Sequence, residues 1–172
     1  MSAEPAAPDS PRWVEGHCPG LVGEIVRWHG LYYVEGRGWN PAFEALCAEQ
    51  LGEIARRFGA EATAFSAWDG KGFLAGVVMD ARPGPRPGAR LRFLIASDGA
   101  RGRGLGNELL RRALAWADAR GEPSVWLTTV AGLEASSHLY RKYGFVLVEE
   151  RLDRTWGDTH REQVWERRRR YP

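Results

Sequence analysis

The junction Arg101-Gly102-Arg103-Gly104-Leu105-Gly106-Asn107 constrains this chain more than any other segment. A continuous apolar run, Leu91 to Ala96, precedes it, and an amphipathic segment, Asn107 to Arg120, follows with Leu109, Leu110, Ala113, Leu114 and Ala117 on one side. The unit therefore reads as strand, glycine turn, helix. Glycines in such a turn let the backbone bend tightly and leave N–H groups unobstructed by side chains. Those groups are unpaired donors at a helix N-terminus, where the macrodipole adds partial positive charge, so together they form a seat for phosphate or pyrophosphate. Arg101 and Arg103 add permanent charge in planar donor geometry. No lysine or hydroxyl follows the glycines, which excludes a GxxxxGK[ST] P-loop. The spacing is GxGxG, with Asn107 where a dinucleotide fingerprint needs its third glycine, and the unit lies in mid-chain, which excludes that reading too.

The remaining pattern belongs to one mixed domain. With 172 residues, 44% hydrophobic and 27% charged, the chain has material for a single core. Leu21 to Trp28 reads as a strand around the Ile25-Val26 pair, and His29 to Tyr33 as a turn or short helix. Asn40-Pro41 starts a helix over Ala42 to Phe58 that Gly59 ends. Thr63 to Trp68 and Phe73 to Met79 flank Asp69-Gly70-Lys71-Gly72 as a hairpin. Strand Leu91 to Ala96 and the junction's helix come next. Ser124 to Val130 is a strand, Leu133 to Tyr143 a helix, and Phe145 to Glu149 and Gln163 to Glu166 are strands, the last edge-like. The class is α+β (mixed α/β): a mixed, mostly antiparallel sheet of six to seven strands flanked by helices. Met1 to Pro11 reads as a disordered lead-in, and residues 12–172 as one domain.

Composition excludes several functions. No apolar run is long enough to span a bilayer. The balance of 24 basic and 22 acidic residues lacks the excess that nucleic-acid coating requires. Cys18 and Cys47 lack CxxC spacing and suit a reducing, cytoplasmic compartment, with Cys47 on the apolar side of its helix. The four histidines, 17, 29, 138 and 160, show no ligand spacing, so no metal is expected. Ser136, Ser137 and His138 read as exposed helix positions, and Arg167 to Arg170 as a solvated tail. Trp13, Trp28, Trp39 and Trp68 all fall in the first half of the chain.

Read as RxxGxG, the motif Arg101-x-x-Gly104-x-Gly106 resembles the pyrophosphate loop of coenzyme A acyltransferases. Taken with Leu91-Arg92-Phe93-Leu94-Ile95-Ala96 and with Leu139-Tyr140-Arg141-Lys142-Tyr143-Gly144-Phe145, an LYxxxGF ending, it resembles the GNAT superfamily of N-acetyltransferases. Arg27 to Tyr33, Gly38-Trp39, Thr128-Thr129 and Gln163 to Glu166 further resemble GNAT modules fused to MarR-type winged-helix regulators, and their free-standing relatives. The resemblance implies a parallel strand pair that splays apart, with acetyl-CoA as co-substrate between them. Leu94, Ile95 and Ala96 would hold the pantetheine arm through backbone groups. Arg101, Gly102, Arg103, Gly104, Leu105, Gly106 and Asn107 would hold the pyrophosphate, and Tyr140 would protonate the leaving thiolate. His29, Tyr32, Tyr33 and Trp39 would border the acceptor, a small-molecule amine or a protein amino group. Neither nucleic acid nor membrane is implied as a partner; a homodimer is compatible.

Three departures bear on chemistry. Ala96 and Asp98 replace the usual Val-x-Pro, Leu133 replaces an asparagine that holds coenzyme A, and Ala89 to Ala96 carries no catalytic acid. A base would come from Glu24, His29 or Glu35 through water, or the amine would arrive deprotonated. For Tyr140, core packing competes with catalysis. The alternative to an enzyme is an acyl-CoA-binding sensor with little turnover.

Overall fold

The computed structural model describes residues 10–169, so residues 1–9 of the expected lead-in lie outside the described residues. The elements run β1 (Arg12–Glu15), α1 (Leu21–His29), a π-helical turn (Gly30–Glu35), α2 (Ala42–Ala55), β2 (Ala62–Asp69), β3 (Gly72–Asp80) and β4 (Ala89–Ala96), followed by α3 (Leu105–Ala119), β5 (Ser124–Val130), α4 (Glu134–Lys142), β6 (Val146–Asp153) and β7 (His160–Arg168). They build a seven-stranded sheet in the order β1-β2-β3-β4-β5-β7-β6. Neighbours are antiparallel except β4 and β5.

The mixed α/β class and the hairpin β2–β3 agree with the sequence. Leu21 to Trp28 does not: it is helical. Leu21, Ile25 and His29 are its buried residues, one every four positions, and this period outweighs the β-branched pair Ile25-Val26. The missing strand is instead β1, which pairs with β2. The final strand is not an edge either. β7 lies between β5 and β6, and β6 is exposed along most of its length. Arg167 and Arg168 belong to β7, and Arg167 clasps the Asp118 carboxylate with two hydrogen bonds of 3.0 Å, so they are no solvated tail. Arg170 lies outside the described residues.

The helices cover the two sheet faces. On one, Leu109, Leu110 and Leu114 of α3 pack with Leu91, Met79, Tyr140 and Phe145. On the other, Leu21 and Ile25 of α1 and Leu51 and Ile54 of α2 pack with Phe73, Val78 and Ile95. Each fully buried leucine or isoleucine contributes about 2 kcal/mol of hydrophobic stabilisation.

The parallel pair is short. Only Ala89↔Val125 and Arg90↔Trp126 are in register, after which β4 and β5 diverge. Their shared start is locked at Gly88, where φ is +84° and an added Cβ would lie 2.1 Å from the Ser124 carbonyl oxygen. The Ser124 hydroxyl donates back to the Pro87 carbonyl at 2.7 Å. Gly88→Ala should therefore cost about 2–4 kcal/mol, from left-handed strain plus a backbone clash. Urea unfolding checks this, and an unchanged midpoint would show that the close approach is not needed.

Candidate active site

A bulge on β4 organises the site. Arg92 faces Val78 and Ile95 faces Gly76, so Phe93 and Leu94 together oppose Val77. Phe93 takes φ +54°, the one positive-φ residue other than glycine among the described residues. Such strain persists only where the surroundings enforce it. The extra residue reverses the strand's alternation: Ala89 and Leu91 point to the α3 face before it, as do Leu94 and Ala96 after it, while Phe93 and Ile95 join the α1–α2 face.

On the α3–α4 side lies a cleft of about 340 Å³, lined by Leu94, Ile95, Ala96, Arg101, Gly102, Gly104, Leu105 and Gly106, with Leu133, Ser136 and Leu139 of the α4 region opposite. Gly102 and Gly104 are left-handed, at φ +75° and +76°. Among the described residues, no protein acceptor takes a hydrogen bond from the N–H groups of Gly102 to Asn107. Gly106 has a separate purpose. An added Cβ would lie 3.3 Å from Leu139 Cδ2, so the bare backbone lets α4 approach α3. Asn107 ties the same helices together, its side-chain oxygen accepting from Lys142 Nζ at 2.7 Å and its carbonyl from the Tyr143 hydroxyl at 3.0 Å. Arg101 bonds Asp98 at 3.0 Å and stacks over the Tyr32 ring at 4.8 Å; Arg103 is exposed.

On the α1–α2 side a second cavity of about 260 Å³ is walled by Tyr33, Trp39, Phe43, Trp156 and His160, with His29, Arg90, Arg92, Thr128 and Glu162 further along. The aromatic wall is continuous: Trp39 lies 4.7 Å from both Tyr33 and His160 and 4.9 Å from Phe43. The Asn40 N–H to Trp156 carbonyl bond, 2.8 Å, pins the β6–β7 turn over it. Asn40 also caps α2, its side-chain oxygen accepting from Ala42 N–H at 2.9 Å. The π-helical turn explains the placement of both tyrosines, since its broader turn directs Tyr32 to the cleft and Tyr33 to the boundary of both spaces.

His29, Tyr33 and Trp39 thus line the expected acceptor cavity, whereas Tyr32 faces the cleft instead. Trp13, Trp28 and Trp68 pack against the cores. Trp156, His160, Glu162, Arg90 and Arg92 are the residues that sequence reasoning missed. Glu24 and Glu35 line neither space, and Glu24 pairs with Arg27 at 3.7 Å. Ser137 is buried and Ser136 borders the cleft, against the expectation that both are exposed. Tyr140 is 5% exposed, within 5.8 Å of Phe145 and 6.1 Å of Trp165, ring to ring. Burial holds its phenol well above the ordinary range, Tyr33 adds to this, and a hydrogen bond with Ser136 partly opposes it.

Electrostatics divide the second cavity. Burial depresses the His29 imidazole to about 4. A neutral ring bonded to the Ile25 carbonyl at 2.8 Å carries its proton on Nδ1, leaving Nε2 as an acceptor. Burial likewise pushes the Tyr33 phenol to about 12 and the Cys47 thiol to about 12, so both stay protonated at neutral pH.

A family described as the Acetyltransferase (GNAT) family matches residues 24–145. No curated protein matches. Among solved structures, a candidate phosphinothricin N-acetyltransferase is 18% identical and superposes with a TM-score of 0.73 over 94% of this chain and 100% of that one. A candidate streptothricin acetyltransferase from Bacillus anthracis str. Ames, in complex with acetyl coenzyme A, is 18% identical and covers 64% of each chain at 0.55. A chain of the NatC complex bound to Gag peptide and CoA is 14% identical, with 94% of this chain and 99% of that one covered at 0.70. The likeness is one of fold.

The His29 shift predicts a pH signature. The unfolded imidazole binds a proton below about 6.5 and the folded one only near 4, so stability is full above that window and falls as pH drops through it, by up to about 3 kcal/mol. The His29 ring resonances should not titrate between pH 5 and 8, and an ordinary midpoint near 6.5 would refute the assignment.

Proposed function

The chain belongs to the GNAT acetyltransferase family, and on that premise we propose that it transfers acetyl from acetyl-CoA to a primary amine by direct attack. One observation carries the reading: the N–H groups from Gly102 to Asn107 have no protein acceptor among the described residues, and Gly102, Gly104, Leu105 and Gly106 of that row line a cleft that continues along Leu94 to Ala96. Amide donors at a helix start suit a diphosphate, with Arg101 beside them and the apolar Leu133 and Leu139 against the chain that follows. The unpaired stretch of β4 suits the amides of a pantetheine arm.

The amine enters from the second cavity. Glu162 is the carboxylate lining it; Arg151 holds its Oε1 at 2.8 Å, and its other oxygen would take the ammonium proton through solvent, while Nε2 of His29 accepts from the amine N–H and orients its lone pair. The nitrogen attacks the thioester carbon, and a backbone N–H at the bulge would stabilise the oxyanion of the tetrahedral intermediate. Collapse breaks the C–S bond; Tyr140, kept protonated by burial and linked to Ser136 at the cleft, would protonate the thiolate, and the remaining proton released by the amide nitrogen would restore the phenol through solvent. Cys47 does not serve as an acyl carrier, because its thiol is protonated and buried. The formed acceptor cavity favours this enzyme over a non-catalytic acyl-CoA sensor.

The narrower likeness to MarR-fused modules is proposed on the same ground: His29, Tyr33, Trp39, Thr128 and Thr129, from the segments that carry it, line that cavity. Cytoplasmic location is proposed from two free cysteines, Cys18 and Cys47. No helix among the described residues is long and apolar enough to cross a membrane. A homodimer would use the exposed edge β6 rather than β7.

Calorimetry should give micromolar binding of acetyl-CoA. Gly104→Trp should weaken it about a hundredfold, roughly the loss of two charge-assisted hydrogen bonds, whereas Gly104→Asn, a residue that tolerates the left-handed φ of +76° there, should weaken it far less. Equal affinity in the tryptophan variant would make the loop merely structural. Coenzyme A release across an amine panel separates enzyme from sensor, and Tyr140→Phe should lower kcat roughly a hundredfold while sparing acetyl-CoA affinity. An unaltered kcat would leave Tyr140 a packing residue.

A further inference from the structure

Arg90 and Arg92 stand on one face of β4, ahead of the bulge, and both line the acceptor cavity. Neither is paired with a carboxylate. Arg90 donates to Thr128 Oγ1 at 2.7 Å and lies 4.6 Å over the Trp126 ring, and its Nε is buried without a partner. Arg92 donates to Gln50 Oε1 and lies 5.0 Å over Phe93. Other partly buried arginines are matched: Arg57 clasps Asp80 at 2.8 and 3.0 Å, and Arg167 clasps Asp118. The nearby acids Asp80 and Glu162 favour the charged form of Arg90 without touching it, and their hydrogen bonds go elsewhere, Asp80 to Arg57 and Glu162 to Arg151 at 2.8 Å.

Two like charges in a half-buried space cost free energy unless an anion compensates them. Desolvation, followed by the like charge of Arg90, lowers Arg92 to about 10, so both remain cationic at neutral pH. Their forked donors match an oxyanion bidentately. The space, about 260 Å³, is smaller than the pockets that take drug-sized ligands, and its far wall is aromatic.

We propose that the acceptor is a small amine bearing an oxyanion, a carboxylate or phosphonate, which Arg90 and Arg92 bind while Trp39, Phe43 and Trp156 hold its apolar part. The word acceptor rests on the transferase reading; the anion site does not.

The test is a binding titration read by calorimetry and by intrinsic tryptophan fluorescence, to which Trp39 and Trp156 contribute, with acetyl-CoA titrated separately. The probes are L-amino acids, aromatic ones included, their carboxamides, and matching 1-aminoalkylphosphonates. Carboxylate or phosphonate probes should bind the wild type at least tenfold more tightly than the carboxamides, and whichever anion binds tighter identifies the headgroup. Arg92→Gln and Arg90→Gln should each erase most of that preference without changing acetyl-CoA affinity, and Arg92→Lys should restore part of it. Equal binding of acids and amides by the wild type, or no binding of any acid, overturns the proposal even if neither variant folds. A preference that survives both substitutions overturns it as well. Failure of acetyl-CoA to bind would sink the transferase reading instead, leaving the anion preference measurable.

Discussion

The two-residue contact between β4 and β5 is the constraint on which the rest of the molecule depends. A sheet normally keeps its ladder, because unpaired backbone groups away from water are costly. Here Gly88 brings the two strands together so closely that no side chain fits, and two residues later they part. The separated edges avoid the penalty only by facing an open cleft or a ligand. The separation coincides with the irregularity of β4, where Phe93 and Leu94 together oppose Val77, and a bulge of that kind bends the strand that carries it.

The bulge at Phe93 then converts this opening into two distinct spaces. Without it, residues 90, 92, 94 and 96 would share one face; with it, the arginines face α1 and α2 whereas Leu94 and Ala96 face α3. Tyr33 is the wall common to both spaces, delivered there by the wide turn that follows α1. A neutral phenol at that boundary offers a hydrogen bond without adding charge.

What the sequence disclosed follows from how local each feature is. The strand–glycine–helix junction, the β2–β3 hairpin, the α2 cap and the helix before Gly144 rest on residues within a few positions of one another, and all were legible. The strand mistaken at Leu21 to Trp28 shows where short windows mislead: Ile25-Val26 favours a strand locally, but the four-residue spacing of Leu21, Ile25 and His29 has meaning only once two sheet faces exist. The acceptor cavity was half visible for a related reason. His29, Tyr33 and Trp39 are close in sequence, but Trp156 and His160 arrive from a turn more than a hundred residues later. Arg90 and Arg92 were not legible at all, because their contacts with Thr128 and Gln50 belong to the sheet order and to α2.

The contrast between His29 and the two arginines follows from the same desolvation. Burial removes hydration from His29, Arg90 and Arg92 alike, yet the outcomes differ because the starting basicities differ. An imidazole that ordinarily titrates near neutrality loses its proton and becomes an acceptor held by the Ile25 carbonyl. A guanidinium starts so far above neutrality that even Arg92, lowered to about 10, keeps its charge. A lysine buried as deeply would be far more prone to deprotonate, and the two lysines of this chain, Lys71 and Lys142, are exposed. One poorly hydrated space thus holds a neutral base and fixed cations side by side, so an incoming zwitterion meets an acceptor for its nitrogen and donors for its oxygens without either site cancelling the other.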